Sequence, residues 1–230
     1  MIVLIPTTAE MNALKKALRF LYPKESFDGT IDFFKTGTGK TAKVNLIHHY
    51  NRLNNNLLLL TGTAGALNSK LRAGDIIVPE RVMNMQHESL HCHPEYDSLL
   101  TSYSCSASST LLSAEQIVST PDEKRNLHQQ YTADVIDMES YDIVMTCKEY
   151  RLPLLIMKII FDQENESLFK INNHYCLTES LLPVRSRQNK LNLQLWTQNY
   201  QDRLVRCGTI LAKILHTICI QNRNMLKFSK

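Results

Sequence analysis

Three carboxylic acids that are far apart in the chain are the residues whose types and spacing could do chemistry: Glu10, Glu139 and Asp162. Each is predicted to follow a β-strand, Glu10 after the apolar residues 2–5 and Asp162 after the apolar residues 152–161. Glu139 and Asp162 are 23 residues apart, the length of one helix plus the next strand, so the chain returns to the same sheet edge between them. One sheet could therefore bring three proton-exchanging groups to a single site.

Each acid also has a simpler interpretation when it is taken alone. Glu10 lies in the first turn of a predicted helix, where the helix dipole favours a carboxylate. Asp162 could occupy a turn or cap a helix, and we interpret the nearby Asp137 as a helix cap. The occurrence of three acids after three strands is what favours a common site.

Small residues at positions 61–67 are predicted to line that site. The apolar residues 57–60 indicate a buried strand, and the small residues are predicted to form a loop at its carboxyl end. Thr63 provides a hydroxyl for hydrogen bonding, and Ala64 has a small side chain that leaves room for a ligand. Gly65 permits a close approach that a Cβ would forbid. A ligand-binding wall and a tight turn without a ligand both fit this heptapeptide.

A second glycine-containing turn, residues 36–41, ends in Gly39-Lys40-Thr41 and suggests a phosphate-binding loop. A P-loop needs a glycine five positions before Gly39, where this chain has Phe34. The same turn matches a dinucleotide-binding pattern only weakly, because no clear acidic partner ends the next strand. A nucleotide-dependent switch is therefore disfavoured.

Histidines and acids are concentrated in residues 83–109, a segment that is predicted to be irregular. They are His87, Glu88, His91, His93 and Glu95. Their spacing matches no closed zinc pattern, so a solvated loop is the preferred interpretation and no metal or cofactor is expected.

The composition is ordinary for a soluble globular protein. The 230 residues contain no linker-like stretch, which predicts one domain over 1–230, and a net charge of +4 is too small to indicate nucleic acid. The six cysteines include no CxxC pair, which favours reduced thiols and a cytoplasmic protein. The apolar start lacks the features of a signal peptide, and no run reaches membrane-spanning length. A small molecule is the expected partner.

Predicted strands alternate with predicted helices, which favours a three-layer α/β/α sandwich around a mostly parallel sheet. Residues 116–119 are predicted to form a strand, and Thr120-Pro121 begins the next helix. Beyond Asp162, residues 163–187 are predicted to be loop with a short helix, followed by separate helices at 191–195 and 204–220.

Three ordered motifs carry a resemblance to a known family. They are GTAGAL followed by GDIIVP at 62–79, DMES at 137–140 and IIFD at 159–162. Together they resemble the nucleoside phosphorylase and nucleosidase superfamily, whose members cleave the N-glycosidic bond of nucleosides. The resemblance covers roughly residues 1–165 and implies the α/β/α fold predicted above.

The resemblance also implies a role for each candidate residue. Asp162 would donate a proton to N7 of the leaving base, with Phe161 helping to keep that acid protonated. Glu139 would hold the ribose hydroxyls with Met138 against the sugar, and Glu10 would orient or deprotonate the attacking water. Thr63, Ala64 and Gly65 would form the wall beside base and ribose.

The same resemblance bears on the reaction type. Phosphorylases of the superfamily bind phosphate with arginines, whereas the turn at 36–41 has Lys40 and no arginine, and Glu10 would repel phosphate. Hydrolysis of an adenosine-type nucleoside, including one modified at the 5′ position, is therefore expected. A phosphate-dependent phosphorylase and an inactive nucleoside-binding relative are the alternatives.

Two departures from relatives accompany these expectations. Residues 116–131 lack the Ser-Gly-Asp-Phe type segment of methylthioadenosine and S-adenosylhomocysteine nucleosidases, and look more like hopanoid-associated nucleosidases. Lys158 stands where many relatives have arginine. Relatives are commonly dimers, so a homodimer is expected, with residues 83–109 at the pocket rim or the subunit contact.

Overall fold

The computed structural model describes residues 1–25, 31–92, 103, 109–171, 174–178 and 190–228. Six helices lie within these ranges. They are α1 (Thr8–Leu21), α2 (Lys40–His48), α3 (Tyr50–Leu53), α4 (Pro121–Tyr131), α5 (Ser140–Glu149) and α6 (Lys190–Phe228).

Nine strands of the described residues form the main sheet. They are β1 (Ile2–Ile5), β2 (Asp32–Lys35), β3 (Leu58–Ala66), β4 (Ile76–Ile77), β5 (Arg81–Asn84), β6 (Ser89–His91), β7 (Thr110–Ser113), β8 (Val135–Asp137) and β9 (Leu154–Asp162). A separate antiparallel hairpin consists of β10 (Ser167–Ile171) and β11 (His174–Thr178).

The strand order is β2-β1-β3-β8-β7-β5-β6, and β9 pairs with both β3 and β4. Most neighbours are parallel: β1 with β2 and β3, β3 with β9, and β7 with β5 and β8. The antiparallel pairs are β3 with β8, β4 with β9 and β5 with β6. The predicted mostly parallel sheet is therefore confirmed.

Helices cover both faces of this sheet, and the side chains of β3 show how. Leu58 and Leu60 pack in the core cluster that contains apolar residues of α2 and α5, whereas Leu59 packs in the cluster with residues of α1 and α6. Successive side chains of a strand point to opposite faces, so an uninterrupted apolar run is what a doubly covered strand requires. The three-layer α/β/α prediction is confirmed.

Two helices that flank the site begin with the same local device. Thr7 caps α1 and Thr120 caps α4; in each case the threonine side chain accepts from the N–H of a glutamate three residues on, Glu10 or Glu123, whose carboxylate accepts in return. The predicted start of α4 is confirmed. Helix α1 begins at Thr8, directly after its cap Thr7.

Several local predictions were wrong. The small residues after Leu60 stay in β3 as far as Ala66, because they pair with β9 along most of their length. The strand predicted at 116–119 lies earlier, at β7. Part of the region predicted to be loop with a short helix, 163–187, is the β10–β11 hairpin, although 179–189 lie outside the described residues. The two predicted C-terminal helices are one continuous helix, α6.

The histidine-rich segment is only partly described. It contains β6, while His93 and Glu95 lie outside the described residues. Among the residues that are described, no group of three or more His, Cys, Asp or Glu side chains could hold a metal ion. A search of the same residues for a helix with the length and apolar character of a membrane span found none.

Candidate active site

A cavity of about 420 Å³ lies where β1, β3, β8 and β9 end. All seven residues predicted to form the site line it: Glu10, Thr63, Ala64, Gly65, Met138, Glu139 and Asp162. The three acids are nevertheless buried, each less than a tenth exposed. The sheet thus brings together residues that are up to about 150 positions apart in the chain.

Glu10 is held in one orientation by donors on both sides of its carboxylate. Its Oε2 accepts from the backbone N–H of Thr7 at 3.1 Å and from the Thr7 hydroxyl at 2.6 Å. Its Oε1 accepts from the backbone N–H of Thr63 at 2.7 Å and from the Thr63 hydroxyl at 2.8 Å. At Gly62 (φ +151°) an added Cβ would lie only 2.9 Å from that Oε1, so the close approach requires glycine. The acid both caps α1 and faces the cavity.

Asp162 reaches the cavity through an irregularity in the sheet. The pairing of β3 with β9 shifts between Ala64 and Gly65, so that Ala64 lies opposite Ile160 and Gly65 opposite Asp162. Phe161 is the extra residue of this bulge. A Cβ on Gly65 would lie 3.2 Å from Oδ2 of Asp162, so the carboxylate rests against the glycine backbone.

Asp162 forms an ion pair with a buried lysine, Lys124, that was not among the predicted site residues. Lys124 of α4 places its Nζ 2.5 Å from Oδ2 of Asp162, and the exposed fraction of the Lys124 side chain is 0%. A signal was present, because Lys124 shares a helix face with Leu127 and Tyr131, which pack against the core. A charged residue on that apolar face requires a buried partner.

Burial and this lysine act in opposite directions on Asp162. Burial disfavours the charged carboxylate and is the larger effect, so the pKa of Asp162 is raised above its ordinary value, while the positive charge of Lys124 lowers it. Asp162 is therefore a carboxyl group that holds its proton to higher pH than a free aspartate does. Such a group is suited to donating a proton.

Glu139 belongs to a second buried charge cluster, centred on Lys158. The Nζ of Lys158 lies 2.6 Å from Oε1 of Glu139 and 2.8 Å from Oδ2 of Asp137. Asp137 also accepts from the hydroxyls of Ser113 and Ser140 and from the N–H of Ser140 in the first turn of α5. The N-cap residue of α5 is Glu139 and not the predicted Asp137, although the Asp137 carboxylate accepts from the N–H groups of Glu139 and Ser140 at the start of the helix. Asp137 is also a counter-ion of Lys158.

The two acids of this cluster differ in protonation. Burial, together with the negative charge of Asp137, raises the pKa of Glu139 to about 8 against the pull of Lys158. The pKa of Asp137 is instead lowered, because Lys158 and the serine hydroxyls outweigh its burial. Asp137 is therefore the stronger counter-ion of Lys158, and Glu139 holds its proton to higher pH than a free glutamate does. While it is protonated, Glu139 can both donate and accept a hydrogen bond.

We expect Glu139→Gln to make stability less dependent on pH. Between about pH 5 and pH 8 the folded chain keeps a proton on Glu139 that the unfolded chain has released, so stability falls as pH rises through this range. Removing the carboxyl should lower the slope of unfolding free energy against pH by the equivalent of about one proton. Denaturant unfolding at several pH values measures it. The exposed Glu149→Gln on α5 is the matched control, and an unchanged slope in Glu139→Gln would contradict the assignment.

The glycine-containing turn before α2 supports Met138. The N–H of Gly39 donates to the carbonyl of Met138 at 2.9 Å, and Gly39 has a φ of +55°. Thr38 lines the cavity, whereas Lys40 does not. This turn therefore positions the Met138–Glu139 segment.

The cavity is also lined by residues that lie outside the three sequence motifs. Tyr200 of α6 packs against Phe161 at a ring-centroid distance of 4.9 Å and stacks on Tyr175 of β11 at 5.4 Å. Leu168 of β10 and residues 116–118 complete this apolar side. Neither tyrosine was predicted as a site residue, because the hairpin that carries Tyr175 was predicted to be loop and the predicted C-terminal helix began after Tyr200.

No lysine or arginine lines the cavity among the described residues. Lys124 and Lys158 lie behind the carboxylates and are both fully buried in ion pairs. The lining therefore combines acids, hydroxyls, small residues and aromatic rings.

Comparison with known proteins agrees with this architecture. The fold is nucleoside phosphorylase-like, as the structural matches below show. A family model described as the phosphorylase superfamily matches residues 33–174. The chain belongs to the phosphorylase superfamily, which confirms the predicted resemblance.

Solved nucleosidase structures share the fold at low sequence identity. A 5′-methylthioadenosine/S-adenosylhomocysteine nucleosidase from Campylobacter jejuni has a TM-score of 0.67 and 12% identity, covering 95% of this chain and 97% of its own. A futalosine hydrolase from Helicobacter pylori has a TM-score of 0.66 and 13% identity, with coverages of 96% and 97%. A putative nucleosidase of the first type from Borrelia burgdorferi, bound to adenine, has a TM-score of 0.65 and 15% identity, with coverages of 94% and 100%. The curated proteins contain no significant sequence match.

Proposed function

We propose that this protein is a nucleosidase that hydrolyses the N-glycosidic bond of a purine nucleoside of the adenosine type, including nucleosides modified at the 5′ position. The observation that carries the proposal is the convergence of Glu10, Glu139 and Asp162 on one cavity that has no cation in its described lining. The family membership and the nucleosidases that share the fold support the same class of reaction.

Departure of the base is the step that Asp162 would assist. As the C1′–N9 bond breaks, its electron pair passes to the purine, and a proton from Asp162 to N7 lets the base leave as a neutral molecule. Burial raises the pKa of Asp162 and so favours the protonated carboxyl that this step needs. Asp162 then remains as a carboxylate beside Lys124.

The ribosyl group left behind has oxocarbenium character and is attacked by water. Thr7 and Thr63 donate hydrogen bonds to the carboxylate of Glu10 and hold it in place. This carboxylate would accept the proton of the attacking water. The negative charge of Glu10 also favours the cationic sugar in the transition state.

Glu139 and Met138 would hold the sugar. The carboxyl of Glu139 can accept from the ribose hydroxyls, and while it is protonated it can also donate to one of them; Lys158 fixes its position. The Met138 side chain supplies an apolar contact, since this residue lines the cavity beside Glu139. Thr63, Ala64 and Gly65 form the wall along base and ribose.

Water is favoured over phosphate as the nucleophile on electrostatic grounds. Phosphate sites in proteins use arginine, lysine or helix N-termini, and the described lining of this cavity contains no basic side chain. A phosphate dianion at the position of the attacking water would face the carboxylate of Glu10.

The test is an assay of free base from purified protein, with 5′-methylthioadenosine, a futalosine-type nucleoside, inosine and adenosine as substrates. We expect base release from at least one adenosine-type substrate at the same rate with and without added phosphate, and a free ribose derivative as the sugar product. Strict dependence on phosphate, with a ribose 1-phosphate product, would instead establish a phosphorylase. Adenine binding without base release from any substrate would establish an inactive binding relative.

A further inference from the structure

All three N–H groups of the Lys124 ammonium have acceptors within the protein. Besides Asp162, its ammonium donates to the carbonyl oxygens of Gln163 at 2.6 Å and Glu166 at 2.8 Å. A lysine has three N–H donors, so each has one acceptor here. The side chain is fully buried, and it does not line the cavity.

We propose that Lys124 is a positioning residue for the proton donor of the reaction: it orients the Asp162 carboxyl toward the cavity and stabilises the carboxylate that proton transfer leaves behind. This inference rests on the proposed nucleosidase function. It gives Lys124 no contact with the substrate, since the ammonium contacts Asp162, which lines the cavity, and does not line the cavity itself.

The geometry explains why Lys124 is suited to this task. Its two carbonyl contacts belong to the segment directly after β9, so the ammonium is fixed to the same piece of backbone that carries Asp162. The carboxyl therefore cannot rotate away without leaving a buried cation uncompensated. Proton transfer to a base converts a neutral carboxyl beside a cation into an ion pair, which is the state that Lys124 stabilises.

Other charged groups around Asp162 are held by their own partners. Arg203 of α6 lies 2.9 Å from Oε1 of Glu166 and donates to the carbonyl of Phe161 at 2.7 Å. Among the described residues, Tyr200 and Cys207 of α6 also interact electrostatically with Asp162, and burial raises the pKa of each to about 12. Lys124 is the cation in direct contact with the Asp162 carboxylate among the described residues.

The decisive variants are Lys124→Met, which keeps an unbranched chain without charge, and Lys124→Gln, which keeps an N–H donor for the two carbonyls. Arg125→Met is the matched control, because Arg125 is the next residue of α4 but is half exposed and pairs with Glu164 at 2.7 Å. The readouts are kcat, KM and the pH profile of kcat/KM, with thermal unfolding to verify folding. Carboxyl ¹³C NMR, with Asp162 assigned from Asp162→Asn, measures the titration without turnover.

We expect kcat to fall by about 10- to 100-fold in both Lys124 variants, with KM little changed because the residue does not line the cavity. The alkaline limb of kcat/KM and the NMR titration of Asp162 should move upward by about 1 pH unit or more, since a cation that lowers the pKa of Asp162 is gone. Arg125→Met should change neither.

The inference would be overturned if a folded Lys124 variant showed no shift in the alkaline limb of kcat/KM and no shift in the NMR titration of Asp162. A lower kcat without either shift would mean that Lys124 has only a structural role. These outcomes are separate from failure of the proposed function. If the unaltered protein releases no base, that function fails, whereas the NMR titration still decides whether Lys124 sets the protonation of Asp162.

Discussion

Asp162→Asn is expected to lower kcat/KM for an adenosine-type nucleoside by about 10³- to 10⁴-fold, the upper part of the range for loss of a general acid. An asparagine of nearly the same shape keeps an oxygen for Lys124 and the contact with Gly65. It has no proton to give to N7, so the base must leave as an anion. Turnover on 5′-methylthioadenosine by the variant and the unaltered protein measures the loss.

The leaving group provides a sharper test of the same residue. A riboside with a leaving group that departs well as an anion, such as 4-nitrophenyl riboside, needs little protonation, so Asp162→Asn should slow its hydrolysis far less than that of the nucleoside. Asp202→Asn, an exposed acid on α6 that accepts from Gln198, is the matched control. Equal losses on both substrates would mean that Asp162 is not the proton donor.

Glu10→Gln is expected to lower kcat by about 10²- to 10³-fold, because the amide cannot take the proton of the attacking water. The loss should be similar on the nucleoside and on 4-nitrophenyl riboside, since both reactions need water. The two variants are therefore distinguished by their response to the leaving group. A loss in Glu10→Gln that disappears with the better leaving group would contradict the role of Glu10.

A structural effect of this substitution must be separated from the chemical one. An amide has one oxygen and one NH2 group, so in Glu10→Gln the NH2 group must face the N–H of either Thr7 or Thr63, which should cost about 1 kcal/mol of stability. The chain contains its own control, because Glu123 forms the same capping box with Thr120 at the start of α4 and is exposed. A glutamine here would keep an oxygen for the N–H groups of Ser119 and Thr120, so the control is Glu123→Ala, which should lose a similar stability and retain full activity.

The α/β/α architecture and the convergence of Glu10, Glu139 and Asp162 on one cavity could be predicted from the sequence. Apolar runs of strand length alternating with helical periodicity predict a doubly covered parallel sheet, because both faces of each central strand must be buried. Glu10 and Asp162 follow β1 and β9, which both run parallel to β3, so their positions after strands place them at one sheet edge. Glu139 was expected at this edge by the same rule, but β8 runs antiparallel to β3, and Glu139 reaches the site because β8 pairs with Gly65 and Ala66 at the end of β3. The motifs then supplied the family.

Local pairing was less predictable. The small residues 61–66 were predicted to be loop because glycine and alanine have low strand propensity, yet β9 supplies hydrogen-bond partners along this stretch and keeps it in the sheet. The bulge that sets Asp162 against Gly65 depends on that pairing. A single sequence contains no local signal for it.

What only the tertiary structure decided is the electrostatic setting of the acids and the far wall of the cavity. The sequence places Lys124 on an apolar helix face and Lys158 within an apolar strand, but only the folded chain shows which carboxylates each one is buried against. Tyr175 and Tyr200 reach the cavity from a hairpin and a helix beyond the last motif. The physical reason is that strand and helix periodicity arises from neighbours in the chain, whereas desolvation and ion pairing arise from neighbours in space.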